Sequence, residues 1–134
     1  MKIVIFDGIS GAGKTTLRYK LFQKFEFNIL TIDRFTPSTW AYDYLRGVDR
    51  TAEVSEIEIK FNMFDCSLVL CYCSPETSRM RVRNDKLRKV IFSPENEYTA
   101  FKKYELISLF NSRITLDTDV LSVEESLNKI CGIL

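Results

Sequence analysis

The chain has 134 residues, nineteen basic and eighteen acidic side chains, a formal charge of +1, four cysteines and no histidine. That length suits one domain over residues 1–134, burying about two-thirds of its unfolded surface, and the balanced charge supplies no global field to recruit nucleic acid or a membrane. Without histidine, Ser-His-Asp and Cys-His nucleophile chemistry is excluded and proton handling falls to carboxylates; the cysteines form no CxxC pair, so reduced, mostly buried thiols are expected rather than structural zinc.

Lys2 to Phe6 (KIVIF) is a short β-branched run of the kind a strand covered on both faces needs. It is too brief for a secretory signal, and no segment approaches the roughly 20 apolar residues of a membrane span, so the expected compartment is the cytoplasm, where ATP is available. Directly after it comes Gly8-Ile9-Ser10-Gly11-Ala12-Gly13-Lys14-Thr15, followed by Leu17, Leu21 and Phe25 at helical spacing. Strand, glycine-rich turn and helix in this order build a phosphate cradle. The glycines let several backbone N–H groups face one anion, and the helix adds its positive end. Lys14 then reaches the β- and γ-phosphates of ATP, and Thr15 offers its hydroxyl to Mg²⁺. The phosphate-binding set is Gly8, Ser10, Gly11, Ala12, Gly13, Lys14, Thr15 and Thr16.

A second strand is expected over Phe27 to Ile32, followed at once by Asp33-Arg34-Phe35. All three prolines follow a hydroxyl residue, at Thr36-Pro37, Ser74-Pro75 and Ser93-Pro94, which is the N-cap and N1 pattern of three helix starts. Trp40, Tyr42 and Tyr44 fall in the first of these helices; Val54, Ile57, Phe61 and Phe64 form a further amphipathic stripe. Leu68 to Cys73 reads as a continuously apolar third strand. Arg79, Arg81, Arg83, Arg88 and Lys89 follow it in a stretch poor in large apolar residues, a candidate lid over about residues 79–92. Phe101, Tyr104 and Ile107 mark another helix, Arg113 to Leu116 a fourth strand, and Ser122-Val123-Glu124-Glu125 a capping box ahead of Leu127 and Ile130.

The first and third strands are apolar throughout, whereas the second and fourth interleave Asn28, Thr31 and Thr115 and belong at the edges. Right-handed crossovers then predict a three-layer α/β fold with four parallel strands in the order 2-1-3-4 and helices on both faces; the phosphate loop makes it P-loop NTPase in type, and a nucleotide kinase-like form is what the resemblance described next implies. Ligands in such sheets sit beyond the carboxyl ends of the strands, where Asp7, the glycine loop and Asp33-Arg34 converge. Asp33 is placed to hold a Mg²⁺-bound water or to accept a proton, and Arg34 to clamp an acceptor in a two-pronged contact. Asp7, also a candidate substrate-binding residue, has four readings: it positions the loop, it orients water around the metal, it is the base if Asp33 is not, or it is only a turn residue bonding backbone amides. Ser38 and Tyr42 are candidate hydrogen-bonding groups for the acceptor. Arg79 and Arg83, four apart on one helical face, are the candidate lid residues that bring positive charge to the transferring phosphoryl group.

Taken together, FDGISGAGKTT, IDRFTPSTWAYDYLRG, SPETSRMRVR and ITLDTDVLSVEESLNKI resemble the thymidylate kinase and deoxynucleoside kinase group of P-loop enzymes across most of the chain, which would make it a short, divergent member. The resemblance implies ATP and Mg²⁺ on Gly8, Gly13, Lys14 and Thr15, the metal environment and acceptor on Asp33 and Arg34, and lid contacts from Arg79 and Arg83. It implies transfer of the γ-phosphoryl of ATP to a nucleoside or nucleoside monophosphate, and it allows a homodimer, since members of that group often pair through helices. Two departures accompany it. Only about a dozen residues separate the first helix from Asp33-Arg34, where the group has a further strand and two helices that carry acceptor-binding groups. Ser10 also stands where a thymidylate kinase loop tends to carry an acidic residue. The alternatives are a P-loop kinase of another small hydroxyl substrate and a shortened kinase fold acting as a nucleotide sensor or protein-binding inhibitor. A GTPase is disfavoured, because neither an Asn-Lys-x-Asp base reader nor an Asp-x-x-Gly switch follows the cradle.

Overall fold

A computed structural model describes residues 1–26, 28–83 and 92–134. Its elements, in chain order, are β1 (Lys2–Gly8), α1 (Lys14–Lys24), β2 (Ile29–Asp33), α2 (Thr36–Leu45), α3 (Thr51–Phe61), β3 (Cys66–Tyr72), α4 (Pro75–Arg83), α5 (Pro94–Ile107), β4 (Arg113–Asp117) and α6 (Val123–Ile133). The strands form one parallel sheet in the order β2-β1-β3-β4, with helices on both sides, as the crossover rule predicts.

Every residue of β3 is buried, and Val4 to Gly8 of β1 are buried as well, which is why these two runs carry no polar alternation. β2 and β4 each have exposed positions and lie at the edges. Strand bounds shift slightly from the apolar runs. β3 begins two residues earlier than expected, at Cys66, because the Ile3 N–H bonds the Asp65 carbonyl and Ile3 pairs with Cys66. β2 runs to Asp33; Phe27 lies outside the described residues, as do Arg88 and Lys89 of the basic run.

Helix starts follow the hydroxyl-proline pattern with one correction. The Ser93 side chain accepts from the Asn96 N–H, Ser74 Oγ accepts from the Thr77 N–H, and Ser122 with Glu125 forms the full capping box. At Thr36-Pro37 the N-cap is Phe35 instead, and Thr36 is buried in the first turn. Its cap comes from elsewhere in the chain, as described below. A second correction concerns α3. Val54 is buried, but Ile57 is 40% exposed and the next inward position is Glu58, which is fully buried. Its carboxylate is accommodated because Oε2 accepts from the Tyr104 hydroxyl at 2.9 Å and Oε1 accepts from the Leu109 N–H at 2.9 Å and the Ser108 hydroxyl at 3.4 Å. The four cysteines are unpaired, three of them buried, and burial pushes the Cys71 thiol up to about 12. No described helix is long and apolar enough to cross a membrane.

Candidate active site

The loop between β1 and α1 is built by glycine geometry. Gly8 has φ +122° against β3, and a Cβ there would lie 2.2 Å from the Cys71 carbonyl oxygen, so only glycine lets the chain leave β1 beside β3. The Ile9 N–H then bonds that same carbonyl at 3.0 Å. Gly13, at φ 81°, is the N-cap of α1, and no side chain caps this helix. Its first N–H groups therefore face the loop with the positive end of the helix dipole behind them. Lys14, only 6% exposed, lies back along the loop and donates to the Ile9 carbonyl at 2.6 Å and the Gly8 carbonyl at 3.4 Å.

One cavity of about 220 Å³ joins most of the expected machinery. It is lined by Gly11 to Thr16 together with Asp33, Arg34 and Arg81. Asp33 is held at its rim by Arg18, 3.6 Å away, which also donates to Thr31. Thr15 and Thr16 are exposed to the cavity side by side with that carboxylate. A hydroxyl and a carboxylate are hard oxygen donors, the set that fits Mg²⁺, which is commonly held by one or two protein oxygens plus substrate phosphates.

Among the basic residues after β3 the structure distinguishes faces of α4. Ser78 Oγ donates to the Ser10 carbonyl at 2.7 Å and Arg81 donates to the Gly11 carbonyl at 2.6 Å, so this face of α4 lies on the phosphate loop. Arg79 and Arg83 turn away from that cavity. Arg79 pairs with Glu95 at the start of α5, and both arginines line a neighbouring space of about 200 Å³ between α4 and α5. Helical spacing identifies Arg79 and Arg83 as one face but cannot say which face meets the loop; the small Ser78 and Gly11, which permit close approach, decide it. Arg81, in the same basic run, is therefore the arginine of α4 that meets the loop.

Asp7, Arg34, Ser38 and Tyr42 come together in a single network. Asp7 is fully buried, and its Oδ2 accepts the Phe35 and Ser38 N–H groups at 2.9 Å each, which caps α2 from the neighbouring strand. Its Oδ1 accepts from the Gly8 N–H at 2.8 Å, the Ser38 hydroxyl at 2.5 Å and Arg34 at 3.4 Å. Of the four readings of Asp7, this geometry supports the one in which it bonds backbone amides. Burial pushes its carboxyl above the usual carboxylate range, with the bonds from Ser38, Phe35, Arg34 and Gly8 pulling the other way. Because all five partners are donors, Asp7→Asn sets an amide NH₂ against at least two of them. We expect it to lower stability by roughly 1–3 kcal/mol in urea unfolding, and an unchanged midpoint would contradict the cap.

Arg34, at φ +62°, directs its guanidinium back under the loop, where it also donates to the Gly8 carbonyl at 3.2 Å, Ser38 Oγ at 2.8 Å and Ser10 Oγ at 3.4 Å, and lies 5.6 Å from the centre of the Tyr42 ring. The fifth member, Glu97 of α5, carries no local signal in the sequence; its Oε1 accepts from Tyr42 at 2.8 Å and Ser10 at 3.0 Å. Burial and the nearby Glu97 charge raise the Tyr42 phenol to about 12, so it stays a donor at neutral pH. A carboxylate thus stands beside Ser10, supplied by a distant helix. Trp40 is a core residue, donating to Thr51 and stacked on Tyr44 at 5.1 Å, and only Tyr42 of the three aromatics enters the network.

No protein-family model matches the sequence, and no curated protein matches it. Solved structures do. The YorR protein from Bacillus subtilis in complex with phosphorylated GDP superposes with a TM-score of 0.79 at 16% identity, covering 98% of this chain and 94% of that one. This chain has the same fold. Deoxyadenosine kinase from M. mycoides with bound dCTP gives 0.66 at 17% identity, covering 98% and 97%, and with bound dATP 0.62 at 18% identity, covering 98% of each. The parallel four-stranded sheet in the order 2-1-3-4 with helices on both sides, expected from the sequence, is therefore the one observed.

Proposed function

We propose that this protein is an ATP-dependent phosphotransferase that moves the γ-phosphoryl group to a nucleoside or a nucleoside monophosphate. The observation that carries the reading is the 220 Å³ cavity, in which an uncapped helix start, the Lys14 loop, one carboxylate and two guanidinium groups share a single space. Phosphoryl transfer needs little covalent help from protein; positioning and positive charge around the transferring group are the main levers. In this reading the loop amides and Lys14 hold the β- and γ-phosphates, and Thr15 and Asp33 hold Mg²⁺. The metal, when bound with ATP, neutralises charge on the phosphate oxygens. Arg34 and Arg81 flank the transferring group, with Arg79 and Arg83 on the acceptor side. Ser38 and Tyr42 stand with Arg34 on that side, and Asp7 fixes their positions.

A second cavity of about 270 Å³ supports an adenine nucleotide. It shares Gly13, Thr16 and Arg81 with the phosphate cavity and is otherwise lined by Leu17, Thr118, Leu121, Val123 and Ser126, apolar walls suited to a planar base. The neighbours' bound nucleotides, dCTP and dATP, agree with a nucleotide donor. A cytoplasmic ATP pool would supply it.

A coupled ADP assay over nucleosides and their monophosphates tests the reading. It predicts acceptor-dependent ADP release, and ATP binding with a flat response across the panel would contradict it. In the same assay Arg81→Ala is expected to lower kcat about 10²-fold with a much smaller change in ATP affinity, because charge on the transferring group acts mainly in the transition state. The loss in Arg79→Ala should be smaller. Equal losses at both positions would remove Arg81 from its assigned place.

A further inference from the structure

Among the described residues three carboxylates are almost wholly buried, and two of them have both oxygens engaged. Asp7 accepts five donors over both oxygens, and Glu58 accepts three over both oxygens. Glu97 differs. It is only 3% exposed, yet its two hydrogen bonds, from Ser10 and Tyr42, both fall on Oε1. Among the described residues Oε2 accepts from none, and no lysine or arginine forms an ion pair with this carboxylate. Oε2 is not one of the fully buried unpartnered atoms, which are Thr36 Oγ1 and Ser126 Oγ, so its free acceptor positions face solvent and are open to an incoming donor. Glu97 also lines the 200 Å³ cavity between α4 and α5, with Ser78, Arg79, Val82, Arg83 and Pro94 around it.

We propose that Glu97 reads the phosphoryl acceptor: Oε2 takes a hydrogen bond from a donor group of an acceptor seated in the α4–α5 cavity, either a sugar hydroxyl or a base N–H. This rests on the kinase function proposed above. Val82 and Pro94 supply apolar walls for the rest of that molecule, and Oε1 stays engaged with Ser10 of the phosphate loop, so recognition and the loop are joined through one side chain. A molecule that fills the cavity displaces the water on Oε2, so one without the matching donor leaves that oxygen unpaired and is discriminated against.

Glu97→Gln separates this role from a structural one. The amide oxygen still accepts from Ser10 and Tyr42, whereas the NH₂ that replaces Oε2 opposes an incoming donor. The expected result is an acceptor KM raised about tenfold or more, with the ATP dissociation constant from calorimetry and the melting temperature unchanged, and partial rescue in Glu97→Asp. Acceptor analogues identify the source of the donor: the one lacking it, deoxygenated on the sugar or without the base N–H, has the same KM in wild type and Glu97→Gln. An unchanged KM in the variant, or a loss of ATP affinity in parallel, overturns the assignment of Glu97 and leaves the kinase reading standing. Absence of acceptor-dependent ADP from the wild-type protein overturns both.

Discussion

Lys14→Met is expected to reduce phosphoryl transfer by about 10²–10³-fold, the usual consequence of removing one positioned charge from a transition state that carries its own. Methionine keeps the length and apolar stem of the side chain, so the buried position stays filled and the loss belongs to the ammonium group. In the structure that ammonium lies against the Gly8 and Ile9 carbonyls, inside the turn that the phosphates would enter. Single-turnover ADP formation measures the effect, and urea unfolding shows whether the fold is retained. Turnover within a factor of three of wild type would mean that the loop does not hold the reacting phosphates.

The second large effect is on folding. Gly8→Ala is expected to cost about 3 kcal/mol or more, combining backbone strain at a positive φ of roughly 1–3 kcal/mol with overpacking of similar size. The neighbour that an added Cβ would meet, at 2.2 Å, is the Cys71 backbone carbonyl in the central strand pair, which cannot swing aside as a side chain would. Relief requires β1 and β3 to separate, and the Ile9 N–H that bonds the same carbonyl moves with them. The variant should therefore lose ATP binding along with stability. Gly132, where an added Cβ meets nothing within 4 Å, is the control: alanine there should leave both unchanged. An unfolding midpoint of Gly8→Ala equal to that of the control would contradict the close approach.

These two residues were legible because their reasons are local. A glycine between an apolar β-branched run and a helical stripe, with Lys14 and Thr15 behind it, fixes strand, turn and helix within a few residues of each other. The same holds for the capping box at Ser122, whose partner Glu125 is three positions away. Sheet order followed from which runs lacked polar alternation. What stayed hidden depends on partners far along the chain. Glu58 reads as an exposed helix position until Tyr104, 46 residues on, comes to face it, and Glu97 is 87 residues from Ser10. Thr36 looks like its own N-cap, but Asp7 of the neighbouring strand supplies the acceptors, so Phe35 occupies the capping position. The sequence does not set Arg81 apart from Arg79 and Arg83 as the residue on the loop, because helical phase gives faces without saying what each face meets.

The network around Ser10 also ties the phosphate loop to the elements around it. The phosphate loop bonds three surrounding elements: α4 through Ser78 and Arg81, α5 through Glu97, and the β2–α2 connection through Arg34. The contacts of Ser78, Glu97 and Arg34 are partly shielded from water, where hydrogen bonds to charged groups contribute about 1.5–3 kcal/mol, whereas that of Arg81 is exposed. The loop is therefore held in shape before any nucleotide arrives, and preorganisation of this kind is what makes a set of backbone N–H groups an effective anion site.

The most direct measurement is isothermal titration of ATP into the wild-type protein in magnesium buffer, repeated with Lys14→Met and with inorganic tripolyphosphate as competitor. The account predicts saturable binding at one site per chain, displaced by tripolyphosphate and severely weakened in the variant. No heat with either ATP or GTP, or ATP binding that tripolyphosphate leaves untouched, would contradict it.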